Sequence, residues 1–115
     1  KLYATGDALA PTIPMVVLVD MGSASAAEIA AGALRDTGRA TIVGEKTFGK
    51  GVFQQVERLQ NGGLVKLTVG SYYLPKGENL AGDGIDPQVP ARDNPKTPRD
   101  EALPVALRTL LGKLK

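Results

Sequence analysis

Apolar and polar positions along this chain change period several times, and each change marks an element. "KLYATGDALAPTIP" carries turn signals and two prolines and reads as a short extended segment followed by a loop. "MVVLVD" is a continuous, valine-rich apolar run that predicts a strand buried on both faces. After the small-residue turn "GSAS", a helical period begins at Ala26 and lasts to about Thr37, with Ile29, Ala30, Ala33 and Leu34 on one face. Gly38 suits the residue just past the helix, and Arg35 and Arg39 suit the negative end of its dipole. "ATIVGE" is a second short apolar run. Strand, helix and strand in that order predict a βαβ unit with parallel strands and a right-handed crossover.

Beyond the glycine-bearing loop "KTFGKG" the period changes to two. "VFQQVERL" and "LVKLTVGSYYLP" alternate as strands about the turn "QNGG", which predicts a hairpin. Gly70 inside the second strand predicts a bulge or a close backbone approach. "KGENLAGDGIDPQVPARDNPKTP" reads as irregular. A tail helix is predicted from about Arg99 to Leu114, with Leu103, Leu107, Leu110, Leu111 and Leu114 at helical spacing, Asp100 and Glu101 in its first turn and Lys113 near its end. The expected class is therefore α/β, in one domain.

Composition narrows the chemistry more than the fold. The 115 residues are 43% hydrophobic, enough for a core, and the net charge of +2 is scattered. No basic run occurs and Phe and Tyr are few, so a nucleic-acid partner is not expected. No stretch reaches the ~18 consecutive apolar residues of a membrane span. The chain holds no cysteine and no histidine. Thiol catalysis, disulfides and the usual general base and metal ligand are thereby excluded, so acid–base work falls to Lys, Tyr, Asp or Glu. No metal or cofactor is expected.

Two residues stand out against that background. Ser25 lies three positions before Glu28 at the start of a helical pattern, which is a capping box. The same position, on a tight turn after a buried strand, also suits an exposed nucleophile at the carboxyl end of a sheet, with the Ala26 amide free to receive an oxyanion. Ser23 competes for that role. Without histidine the base for a serine is lysine, which acts only when neutral; burial lowers its affinity for a proton. Lys50 lies between two glycines and near Phe48 and Phe53, a setting in which the backbone can approach another element. The plain alternative is a solvated loop lysine.

The stretch "GSASAAEIAAGALRDTGRATIVGEKTFGKGVFQQ" resembles the core of the carboxyl-terminal processing peptidases, or tail-specific proteases. "LVKLTVGSYYLPKGENLAGDGIDPQVP" is similar to that family's hairpin and Gly-Ile-x-Pro turn. The resemblance implies a ClpP- and crotonase-like β-β-α core, here a partial domain. It makes Ser25 the nucleophile, Lys50 the base, Gln54 the residue that orients the lysine, and the Ala26 amide an oxyanion donor. It also implies a second donor from an upstream Gly-Gly turn and a preceding PDZ domain, neither of them within these residues. The chain is then expected to be the C-terminal portion of the catalytic domain and weak or inactive alone. Implied partners are proteins and peptides with C-terminal tails, and the implied location is extracytoplasmic: periplasm, envelope or thylakoid lumen. Unpaired strand edges would allow pairing with a second copy. The alternatives are a non-catalytic interaction or assembly domain of the same fold, and a crotonase-like acyl-CoA enzyme, against which the Ser–Lys–Gln spacing argues.

Overall fold

The computed structural model describes residues 3–114. Its order is β1 (Val16–Val19), α1 (Ala26–Asp36), β2 (Thr41–Gly44), β3 (Val52–Arg58), β4 (Leu64–Ser71), β5 (Val89–Pro90) and α2 (Ala102–Gly112). β1 and β2 are parallel, with Val16 opposite Thr41 and Val19 opposite Gly44, so the βαβ unit is formed. β5 adds to the other side of β2, also parallel, giving the order β1-β2-β5. That strand fell in the stretch read as irregular: it is two residues long and includes Pro90, which can sit only where no ladder donor is needed.

Each face of this sheet carries one helix. On one face Ile42, Ala31, Leu74, Leu80 and Ile85 form a buried cluster joined by Val17, Val19 and Ile29. On the other face Val43, Ala91 and Ala106 are buried, with Val16, Val89, Ala102 and Val105 around them. Alternation along β2 sends Ile42 and Val43 to opposite layers. β1 is the sheet's edge, so its expected double-sided burial is incomplete and Leu18 stays 41% exposed.

In both helices the most buried residues are not those the apolar pattern suggests, although Ile29 of α1 does pack against the core. In α1 the buried residues are Glu28, Ala31 and Gly32, whereas Ala30 is exposed. Gly32 is what turns the helix: a Cβ there would lie 2.4 Å from Leu74 Cδ2, so the leucine packs directly on the backbone. In α2 the buried side is the small one, at Ala106, while Leu103, Leu107, Leu111 and Leu114 are 43% to 63% exposed. α2 also starts at Ala102 rather than Arg99. The later start keeps Pro104 in the first turn, where its missing N–H costs nothing; a start at Arg99 would place it in the helix interior. Asp100 consequently precedes the helix, where its carboxylate accepts the Leu103 amide at 2.8 Å.

β3 and β4 form a separate antiparallel ribbon. The register slips between Phe53 and Gln54, beside Gly70, where the Phe53 ring occupies the space a Cβ would take. The bulge and the close approach thus coincide, although it is a ring that approaches and not a backbone.

The tightest backbone contact lies at the carboxyl end of the parallel sheet. Gly44 has φ 135° and any Cβ on it would meet Val19 O at 1.8 Å. Gly44→Ala is expected to destabilise the chain by about 3 kcal/mol or more, since neither strand can give way without breaking their pairing. Denaturant unfolding checks this; a loss below about 1 kcal/mol would contradict the close approach.

Candidate active site

The turn from β1 into α1 is held by local bonds. Asp20 Oδ1 accepts the Gly22 amide and the Ser23 hydroxyl, both at 3.0 Å, and Ser23 Oγ in turn accepts the Asp20 amide at 3.1 Å. These bonds engage the Ser23 hydroxyl within the turn, which weakens it as the competing nucleophile. Ser25 follows as the residue capping α1, with φ 57° and ψ −119°. It is the one non-glycine residue with positive φ among those described. Such backbone strain is kept only where the surroundings enforce it, and it clusters at functional turns.

Glu28 enforces it. The carboxylate is fully buried and takes four donors. Its Oε2 accepts the Ser25 amide at 2.8 Å and the Lys50 amide at 2.9 Å. Its Oε1 accepts the Thr47 hydroxyl at 2.5 Å and the Gly49 amide at 2.7 Å. Burial pushes the Glu28 pKa up, but the bonds from Thr47, Gly49, Ser25 and Lys50 outweigh it and hold the carboxyl below its ordinary value. The capping box read from the sequence is present in both halves: the Glu28 carboxylate accepts the Ser25 amide, and the Ser25 side chain lies at the Glu28 amide, although without the geometry of a full hydrogen bond. Ala26 is exposed, and its amide has no acceptor among the described residues, whereas the next amide, Ala27, bonds Ala24 O at 3.2 Å.

Because one oxygen bonds both amides, the backbones at Ser25 and Lys50 are neighbours although 25 positions separate them in the chain. Phe48 N bonds Ser23 O at 3.0 Å and reinforces the approach. The side chains are not yet engaged. Lys50 is exposed rather than in the apolar setting its neighbours suggested, and no hydrogen bond joins it to Ser25. Gln54 lies on β3, exposed, and donates to Thr68 Oγ1 at 3.4 Å rather than to Lys50. The reason is architectural: β3 and β4 are a two-stranded ribbon with both outer edges open, so nothing presses Gln54 or Lys50 inward.

Two contributors were not visible beforehand as more than a cap and a loop residue: Glu28 as a junction of two loops, and Thr47. The signal that could have found Glu28 is its helical spacing with Ala31 and Gly32, which places a carboxylate on the buried face. No group of acidic or histidine side chains suited to a metal ion occurs among the described residues.

Comparison with known proteins shows which family the chain belongs to. Residues 1–91 match the model of peptidase family S41, and the chain belongs to that family. It is 49% identical over 76 residues to the carboxy-terminal-processing protease of Bartonella bacilliformis, covering 66% of this chain and 18% of that protein. It is 45% identical over 86 residues to the chloroplastic C-terminal processing peptidase of Tetradesmus obliquus, covering 75% of this chain and 18% of that one. The solved photosystem II D1 C-terminal processing protease superposes with a TM-score of 0.67 at 42% identity, over 84% of this chain and 24% of its own. The chain therefore spans about a fifth of the length of these curated relatives, 18% in each case.

Proposed function

We propose that this chain is the C-terminal portion of the catalytic domain of a serine endopeptidase that cleaves proteins at or near their C-terminal tails. The observation that carries this reading is the shared Glu28 oxygen, which brings a strained serine and a lysine-bearing loop together. Ser25 is the nucleophile and Lys50 the base. Lys50 takes the proton from the Ser25 hydroxyl as its oxygen adds to a peptide carbonyl, while the Ala26 amide and a second donor from outside these residues hold the oxyanion. The tetrahedral intermediate collapses to a Ser25 ester as Lys50 returns the proton to the departing amine. Water then hydrolyses the ester with Lys50 again as base. Gln54 aims the Lys50 amine. Since Lys50 is exposed here, its activation falls to other parts of the polypeptide, which must cover it and turn Gln54 toward it. The chloroplastic relative supports a location outside the cytoplasm, and the C-terminal processing names support tail-bearing protein substrates. A PDZ domain in the same polypeptide would present those tails.

The test is covalent. The full-length polypeptide is treated with a serine-acylating β-lactone, digested and mapped by mass spectrometry. One acyl adduct on Ser25 is expected, lost in Lys50→Ala. An adduct that survives Lys50→Ala would remove Lys50 as the base, and none on Ser25 would favour a non-catalytic assembly domain. Residues 1–115 alone are expected to acylate about 10² times more slowly or worse, since one missing oxyanion donor typically costs that much. Equal rates would refute the dependence on a second donor.

A further inference from the structure

Thr47 sits between two loops and is used by both. Its side chain is buried. Its hydroxyl donates to Glu28 Oε1 at 2.5 Å and accepts the Ile85 amide at 2.7 Å. Its own amide donates to Ile85 O at 3.1 Å, so two hydrogen bonds join Thr47 to Ile85 and a third joins it to Glu28. The surroundings leave the hydroxyl no slack. A Cβ on Gly84 would meet Thr47 O at 2.4 Å, and Gly82 N bonds Gly49 O at 3.0 Å. The lysine loop is thus clamped between Glu28 on one side and the loop of residues 80–85 on the other.

A carboxylate has two oxygens but one plane. With Oε1 held by Thr47 and Gly49, the carboxylate has little room to turn, and Oε2 lies where the Ser25 and Lys50 amides meet. The hydroxyl is suited to this because it donates to the charged oxygen while its lone pair takes a buried amide. Valine, of the same shape, can do neither.

We propose that Thr47 is a positioning residue for the Ser25–Lys50 pair: its hydroxyl locks the Glu28 carboxylate and thereby ties the order of the 80–85 loop to the geometry of both loops at the site. This rests on the serine–lysine reading of the site for its effect on rate, but not for its effect on geometry. Thr47 touches no substrate. It acts through Glu28, and a disturbance of the 80–85 loop reaches Ser25 by this route.

The experiment compares Thr47→Val and Thr47→Ser in the full-length polypeptide, with two readouts. In the first, amide hydrogen exchange in Thr47→Val is expected to speed up at Ser25 and Lys50 at least tenfold, with Val43 in β2 unchanged and Thr47→Ser close to wild type. Faster exchange confined to Ile85, with Ser25 and Lys50 as protected as before, would overturn the proposal, since Thr47 would then only hold its own loop. This readout stands even if the wild-type polypeptide cleaves nothing, an outcome that counts against the proteolytic reading instead. In the second, kcat per folded molecule is expected to fall about 10- to 100-fold in Thr47→Val with KM within about twofold, because a misplacement of an ångström costs that order of rate. Recovery in Thr47→Ser to within about threefold is expected on the same argument. An unchanged kcat in a cleaving but destabilised Thr47→Val would likewise overturn it.

Discussion

Ser25→Ala in the full-length polypeptide is expected to lower kcat for peptide-bond hydrolysis by about 10⁴- to 10⁶-fold, the range seen when a nucleophile that works with its base as a unit is removed. The fold should be unaffected. Ser25 holds its place chiefly through its backbone amide on Glu28 Oε2, and its side chain, though placed at the Glu28 amide, completes no full cap hydrogen bond whose loss would loosen α1. Alanine keeps the Cβ and therefore the strain of φ 57°, whereas glycine removes it. Ser25→Gly is accordingly expected to be as inactive as Ser25→Ala but more stable than it by about 1 kcal/mol, the low end of what a left-handed residue costs. Product analysis by mass spectrometry and thermal unfolding of both variants check the two halves separately. Activity above about 1% in Ser25→Ala would move the nucleophile elsewhere, and Ser23 would be the first place to look.

Glu28→Gln should strike stability and activity together. The carboxylate accepts from Thr47, Gly49, Ser25 and Lys50. A carboxamide can serve two of these donors with its oxygen, but its NH2 then faces the other two. At least two buried hydrogen bonds to a charged group are lost, which sets the expected destabilisation at about 3 kcal/mol. The pH dependence has a definite sign. The folded carboxyl is held below its ordinary value of 4.5. Its contribution is therefore complete above pH 4.5 and is lost as pH falls through the lowered folded value, where folded Glu28 begins to take up a proton. Urea unfolding should show a large gap between wild type and Glu28→Gln near pH 7, and a gap that closes as the pH is taken well below 4.5. A gap of constant size across that range would show that the carboxylate's charge does not hold the two loops together.

These two residues also show how far a sequence can be read. Around Ser25 everything local was legible. The valine run, the small-residue turn and the Ala-rich helix each need only neighbouring side chains to declare themselves, and α1 begins at Ala26 and is followed by Gly38 at φ 70°, past its end. The hairpin was legible for the same reason, since alternation about "QNGG" is a short-range signal. The tail was less so. Its leucines gave a helical period, yet burial went to the small side at Ala106, because a close fit on β1 and β2 decides which face is covered and apolar spacing alone does not.

Sequence by itself determined the order of elements, the parallel βαβ unit, the hairpin and the residue types capable of chemistry, because propensity, period and the absence of histidine and cysteine act within a few residues or across the whole composition. Tertiary structure alone decided that Glu28 is a junction and not merely a cap, that Thr47 joins it to the 80–85 loop, that β5 exists, and that Lys50, in the loop before β3, and Gln54, on a ribbon with open edges, stay exposed. Each of these is a contact between residues far apart in the chain, and such contacts depend on which surfaces packing brings together, which no local pattern encodes.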